Sequence, residues 1–590
     1  MISKRFPRGL YAPEALEARI APATILVTSL LDDNGPGTTL REAIVQANTT
    51  AVADTVVFKA GLTGEITLAL GQIAITTPLS IVGPGAGKLI IDANAASRIF
   101  AIDDGVAATT SKVSIAGLSL VNGRDLSGGA IFSREALSVK SCVLSGNVAT
   151  VGDGGALYIN TVGSGAGGLS IESSSLVNNT ASANGGGALY ARVDGSVKIT
   201  NSLVSGNTAA NGAGGLYAVV QAGGTGNVFI GSTTIIGNKT TSGNGGGASL
   251  GNNRVGGKVT VQASAISDNS AAAGTGGGLI IGSGVKLVDG SVLSGNVALD
   301  GGGGIFDFGT APLTINKSRL LNNQTTGSAS DGGGLRTTGD HLVKVIASTI
   351  SGNSAGEDGG GIAALGLAKL TVQSSVLTGN ATVASAGLGG GISGETGASI
   401  KVLSSVFSDN RSADDGGGIG VEGSGADSVS VEVTSSTFSR NVTGNDGGGI
   451  RIAGDGSLKI TGSKFIGNVV VFAGGGLYAN TTGKVSISTS FFQRNVAGST
   501  GGGLYLANSG AKTVTSTIIK ENISAADGGG ILLGGTGALT IKSSTITGNV
   551  AKTTGGGVRN NSLGAITLIA TVIASNVAPT DANKSGLFHP

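Results

Sequence analysis

The stretch Thr515–Val558, TSTIIKENISAADGGGILLGGTGALTIKSSTITGNVAKTTGGGV, contains its own repeat. An asparagine, five residues and a glycine triplet occur as Asn522–Gly530 and again, 27 positions later, as Asn549–Gly557. Glycine loses more conformational freedom on folding than any other residue, so three in a row at a fixed interval signal a backbone demand that recurs.

Traced outward, the asparagine recurs as Asn147, Asn179, Asn207, Asn238, Asn269, Asn296, Asn323, Asn353, Asn380, Asn410, Asn441, Asn468, Asn495, Asn522, Asn549 and Asn576. The spacings run from 27 to 32, and the last five are all 27. A near-constant period over this many copies means a solenoid, whose units bury their apolar faces only against their neighbours. Inside one unit, Leu539, Ile541 and Ile546 alternate with Thr and Lys. That is the period of short strands, with no helical stripe. About three strands and three turns fit into 27 residues, stacking coil on coil as parallel strands. Parallel crossovers are overwhelmingly right-handed. The sequence therefore predicts an all-β chain: a right-handed parallel β-helix with a short N-terminal capping helix.

Stacking explains the two motifs. A turn that needs positive φ or close backbone approach needs glycine in every copy, which predicts a structural column through Gly417, Gly448, Gly475, Gly502, Gly529 and Gly556. Asparagine tolerates the left-handed region, and its amide can pair with its own kind above and below. That predicts a hydrogen-bonded ladder through Asn380, Asn410, Asn441, Asn468, Asn495, Asn522 and Asn549. A phosphate-cradling role for the glycines would need an adjoining helix N-terminus or lysine, and neither recurs.

Composition excludes several classes. Glycine makes up 108 of 590 residues and charged residues 12%, while apolar residues reach 40%, a profile that can bury a core and does not suit disorder. No three-residue glycine period suggests collagen. The net charge of +2 has no basic block behind it, so no nucleic-acid partner is expected. No apolar run is long enough for a transmembrane helix. Cys142 is the single cysteine and only two histidines occur, which argues against a disulfide framework or a Cys/His metal centre. In VKSCVLSGN, Cys142 reads as a small buried residue where other copies carry Ser or Thr.

The motifs resemble the repeats of the polymorphic outer membrane proteins. GGAI starts at Gly128 and GGAL at Gly154 and Gly186, while FSDN, FSRN, FIGN and FQRN end at Asn410, Asn441, Asn468 and Asn495. The likeness spans about Ile115 to Asn576. It implies a surface-exposed, adhesin-like β-helical passenger at a bacterial outer envelope; no barrel segment follows the last repeat, so self-export is not expected of these residues. VTSLLDDNGPGTTLREAIVQAN, Val27–Asn48, is similar to the CSLREA-type segment that opens many bacterial β-helix surface proteins. Within it Leu40, Ile44 and Ala47 recur at helical spacing behind Thr39 as N-cap, predicting a helix that plugs the open end of the solenoid. APEALEARIAPA, Ala12–Ala23, resembles a LEPR-XLL leader. The expected organisation is a disordered leader or sorting segment at 1–24, a cap and irregular coils at 25–114, the repetitive β-helix at 115–578 and a tail at 579–590.

Enzymes on such a scaffold would use carboxylates, calcium and a basic residue. Asp331, Glu357, Asp358, Asp414, Asp415, Asp446 and Asp527 all stand just before glycine triplets. Asp331, Asp358, Asp415 and Asp446 are the calcium candidates, since calcium wants clustered oxygens; Asp414, Asp415 and Asp358 are the catalytic candidates of a polysaccharide lyase or hydrolase. The competing reading is an Asx turn into glycine. It carries more weight, because Leu388, Ala473 and Thr500 hold the same place in other coils. His341 has only Asp340 beside it, and the chain has no Trp and six Tyr, which argues against a sugar platform. The favoured reading is a non-catalytic, monomeric surface or secreted protein without a cofactor, adhesin-like or envelope-structural, whose partner is a surface ligand or envelope component. Its longer loops, around Asn160–Gly167, Val219–Asn227, Asn252–Gly257 and Glu422–Asp427, are expected on one side of the rod.

Overall fold

The structure, a computed structural model, describes residues 21–589 except 34, 36, 107–109, 164–166, 396, 426 and 427. It is a parallel β-solenoid. In the coil that ends at Asn549 and its neighbour, Ile531–Leu533, Leu539–Lys542, Thr545–Thr547 and Val550–Ala551 belong to four separate ladders, called here sheets I to IV. Three strands per coil were expected. The fourth, in sheet IV, has two residues, too few to show a period of two in sequence. Sheet II has 21 strands, sheet I 19 and sheet IV 16, so at about 4.8 Å per strand the rod is about 95 Å long.

Every coil sits in register on the next: Leu539 on Ile566 and Ile541 on Leu568 in sheet II, Ile546 on Ile573 in sheet III. Leu539, Ile541 and Ile546 point inward and are fully buried. Phe407, Phe438, Phe465 and Phe492 line up inside sheet III with ring centroids 4.7, 4.9 and 4.5 Å apart. Cys142 is buried in the core.

At the N-terminal end the helix Leu40–Ala47 covers the first coil. Thr39 and Glu42 form a reciprocal capping box, and Leu40, Ala43, Ile44 and Ala47 are buried against Thr24–Val27, Asp54–Phe58 and Ile73–Ile75. Arg41 fastens the cap through Asp32 at 2.7 Å. Residues 1–20 of the expected leader lie outside the described residues, and Thr24 already opens the first strand. Sheet IV begins only at Arg124–Asp125. Within the expected tail, Lys584–Ser585 and Phe588–His589 add strands to sheets I and II.

Coil length varies mainly at the corner between sheets I and II, and also between sheets IV and I, where 326–334 and 383–391 are longer than the equivalent 525–530. The segments around Asn160–Gly167, Val219–Asn227, Asn252–Gly257 and Glu422–Asp427 all connect a sheet I strand to a sheet II strand, and so emerge on one side; residues 164–166, 426 and 427 lie outside the described residues.

The asparagines stand between sheets III and IV with no exposed surface from Asn147 to Asn549. Asn441 donates from its backbone N–H (3.1 Å) and from Nδ2 (2.9 Å) to Asn468 Oδ1, donates from Nδ2 to the Phe407 carbonyl (3.0 Å), and accepts at Oδ1 from the Asn410 backbone N–H and Nδ2 (3.1 and 3.0 Å). The same pattern links Asn380, Asn410, Asn468, Asn495, Asn522 and Asn549. The left-handed conformation is not at the asparagine itself. It belongs to the residue before it: Asp409, Arg440, Gly467, Arg494, Glu521 and Gly548 have φ between 53 and 65°. The chain turns one residue early, which leaves the asparagine in a conformation that points its amide along the rod.

The glycine column also divides its tasks. From Gly332 onward positive φ belongs to the first glycine of each triplet, such as Gly447 at 70°. The middle ones, Gly417, Gly448, Gly475, Gly502, Gly529 and Gly556, are constrained by proximity instead. A Cβ on Gly448 would lie 2.5 Å from the Gly475 carbonyl and 3.1 Å from Val469 N.

A second ladder, which the sequence pattern had not suggested, runs along the corner between sheets II and III. There Ser405 N–H donates to Ser436 Oγ (3.1 Å), Ser436 N–H to Ser463 Oγ (3.2 Å) and Ser463 N–H to Ser490 Oγ (3.2 Å). Its signal is the Ser or Thr that precedes each sheet III strand from Ser175–Val177 onward, as in SSTITGN.

These contacts set the expected cost of two substitutions. Asn441→Leu strips partners from the Asn410 amides and the Phe407 carbonyl, so the denaturation midpoint should fall by an amount worth about 3 kcal/mol or more. Gly448→Ala should cost more than Gly467→Ala, measured in the same way. Nothing lies within 4 Å of a Cβ on Gly467, and its positive φ alone costs about 1 kcal/mol.

Candidate binding face

The outward side of sheet I gathers the residues with the richest chemistry. In-register stacking brings Phe132, Tyr158, Tyr190 and Tyr217 into one column, with ring centroids 5.2, 5.5 and 4.6 Å apart and nearly parallel planes. Further along, Tyr478 and Tyr505 stack at 4.8 Å. Five of the six tyrosines thus share one face. Their small number argued against a platform, and the signal that would have revealed one is position. Each of the five follows a glycine pair or triplet, as GGALY, GGLY or GGGLY, so each occupies the same outward site in its coil.

Beside this column runs the row of acids. Asp331, Asp358, Asp415, Asp446 and Asp527 each accept, through Oδ1, the backbone N–H of the equivalent residue one coil on: Asp358 at 3.3 Å, Leu388 at 2.7 Å, Asp446 at 2.8 Å, Ala473 at 2.8 Å and Thr554 at 3.1 Å. The expected Asx turn is replaced by a brace between coils, because the nearest free amide lies one coil along the rod. Arginines reach the same row. Arg451 Nε lies 3.1 Å from Asp415 Oδ2 and its NH1 lies 3.1 Å from Glu422, and Arg336 lies 3.6 Å from Asp331. Asp414 offers its backbone carbonyl to the Thr443 hydroxyl.

Burial dominates the titration of this row. It pushes Asp358 up to about 7, with the nearby charges of Asp331 and Glu357 adding to it, and pushes Asp331 and Asp415 up to about 6 against the opposing pull of Arg336 and Arg451. Burial raises Asp446 as well.

The four calcium candidates do not form a ligand set. Among the described residues, the carboxylates that come together in a threesome are Asp103, Asp104 and Glu135, with one oxygen of each within 4.8 Å of the others. Arg134 already pairs with Asp103 at 3.1 Å, and Glu135 accepts the Ser111 amide at 2.7 Å.

His341 has a different neighbour from the one its sequence suggested. Asp340 turns outward to Lys369 at 2.7 Å, while His341 Nε2 turns inward to Asp307 Oδ2 at 2.6 Å. Lys286 Nζ meets the other oxygen of Asp307 at 2.6 Å, and Thr337 joins at 3.2 Å. All four are buried inside the solenoid. The cluster braces the core and does not open onto the face outside.

A family model described as the right handed beta helix region matches residues 315–465 and 418–577. The coils there are similar to that family's, with the right-handed winding that the sequence led us to expect. No curated protein matches the chain. No described helix is long and apolar enough to cross a membrane.

The raised acids generate a pH prediction. Asp358 titrates near 7 in the fold, against an ordinary aspartate value of 3.8, so the folded chain holds an extra proton between those values. The stability this proton contributes is full below about pH 4 and is lost as pH rises through 7, at about 1.4 kcal/mol for each pH unit crossed. Asp358→Asn keeps the acceptor for the Leu388 amide and removes the titration. Between pH 4 and pH 8, wild type should lose stability relative to this variant in denaturant melts; parallel pH profiles would contradict the assignment.

Proposed function

We propose that this chain is a non-catalytic, cell-surface or secreted β-helical protein of a bacterial envelope, acting as an adhesin-like or spacer rod through the outward side of sheet I. The observation that carries this reading is the inter-coil brace. Asp331, Asp358, Asp415, Asp446 and Asp527 each already bind an amide of the next coil through one oxygen, and Asp331 and Asp415 face an arginine with the other. A carboxylate held in this way is tied to the scaffold, whereas general acid–base work needs a group within reach of a substrate proton. The resemblance to polymorphic outer membrane protein repeats supports a surface location and a surface ligand or envelope component as partner.

A second reading, a lyase or hydrolase acting on acidic polysaccharide, is favoured by one feature: Asp358 and Asp415 titrate near neutrality, and Arg451 stands beside Asp415. Perturbed acids beside a cation are what such chemistry uses. One assay separates the two. The purified chain is incubated with a panel of acidic polysaccharides, with and without calcium, while unsaturated and reducing-end products are followed. The expected result is no turnover, with saturable binding to a cell or envelope fraction. Turnover abolished by Asp415→Asn would replace the non-catalytic reading with the enzymatic one.

A further inference from the structure

The aromatic column stops at Tyr217. The residue in register on the next coil is Ser249, so the ring face of Tyr217 turned away from Tyr190 has no aromatic partner. That face opens onto a depression of about 380 Å³ floored by Ser249, Gly251, Gly282 and Ser283. Its far wall is Phe308, which is 53% exposed. Phe306 supports Phe308 at 5.8 Å between centroids, and the Phe308 ring tip leans back over Gly282, where a Cβ would meet Cζ at 2.9 Å. Gly282 lies two coils beyond Tyr217, about 10 Å along the rod, and Phe308 belongs to the neighbouring column of Val219 and Gly251, so the two rings bound the depression diagonally. The depression has room for one saturated ring laid against the open face of Tyr217 at a contact distance of about 3.5–4 Å, with Phe308 closing the far end.

The rim and the charge define what that ring is. Asn253, which accepts from the Ser283 hydroxyl of the floor, and the exposed Thr310 stand at the opening, and none of the lining residues is acidic or basic. Below the floor, the Lys286 ammonium is already paired with Asp307. An anionic ligand would therefore leave its charge without a partner on desolvation. A pyranose presents C–H groups on its faces and hydroxyls around its edge, matching aromatic walls and a polar rim.

We propose that this slot binds one pyranose ring of a neutral polysaccharide, held between Tyr217 and Phe308 with its hydroxyls turned to Ser249, Asn253 and Thr310. The proposal rests on the non-catalytic surface reading and gives that face a ligand class. The test titrates the full chain with galactomannan, xyloglucan and mixed-linkage β-glucan, with polygalacturonate as the charged control, by calorimetry. Ser249→Tyr extends the ring stack into the slot, and Phe308→Ala removes the far wall. At least one neutral glycan should bind wild type, with affinity at least tenfold weaker in both variants and melting temperatures unchanged. Undiminished binding by Ser249→Tyr, stronger binding of polygalacturonate, or no binding of any of the three neutral glycans would overturn the slot. If Ser249→Tyr still binds an envelope fraction as wild type does, the slot fails while the surface reading stands.

Discussion

An asparagine of one coil gives its backbone N–H and a side-chain N–H to the side-chain carbonyl of the asparagine in the next, and this buried amide pair recurs from Asn147 to Asn576. Asn441 satisfies its backbone N–H, its side-chain amide and its side-chain carbonyl within the ladder. Since an unpaired buried amide costs about 1–3 kcal/mol, a slip of one residue in any coil would break several such bonds at once. The ladder therefore sets the register of everything else. The Phe407 stack, the serine ladder and the glycine corner are in line because the asparagines are. Length variation falls at the two corners that flank sheet I, after Asn160 or Val219 on one side and after Thr325 or Thr382 on the other, where no such ladder runs.

In-register stacking also makes neighbours of residues that are about 27 positions apart, and this decides the chemistry of the face. Like groups meet like groups. For the tyrosines the outcome is favourable stacking. For the acids it is repulsion added to burial, which is why Asp358, with Asp331 and Glu357 near it, stands highest in the row. Arg336 and Arg451 reach the row from the aromatic column beside it, and Leu388, Ala473, Thr500 and Thr554 hold other places in it.

The interior tolerates charge only where a partner is supplied. Lys286 and Lys512 occupy the same inward position of sheet II, in a column that leucine, isoleucine and valine otherwise fill from Leu79 to Ile566. Lys286 is matched by Asp307, which also holds His341. Lys512 has only the carbonyls of Asn508 and Gly510, and burial pulls it down to about 8.

The solenoid, its strand period, its parallel stacking and its capping helix were all legible in the sequence, because each is a local pattern, most of them repeated many times: Asn522 to Asn549, Leu539 and Ile541, Thr39 before Leu40. The row of acids was legible for the same reason. The direction of each contact was not. That Asp358 binds the amide of Leu388 and not its own turn, that positive φ sits on Gly447 while Gly448 is crowded by Gly475, and that His341 reaches Asp307 are facts about the adjacent coil. The open ring face of Tyr217 belongs with them, since it exists only because Ser249 is its neighbour one coil on. Such contacts emerge only when the coils stack, because side chains here meet across strand spacings of about 4.8 Å rather than along the chain.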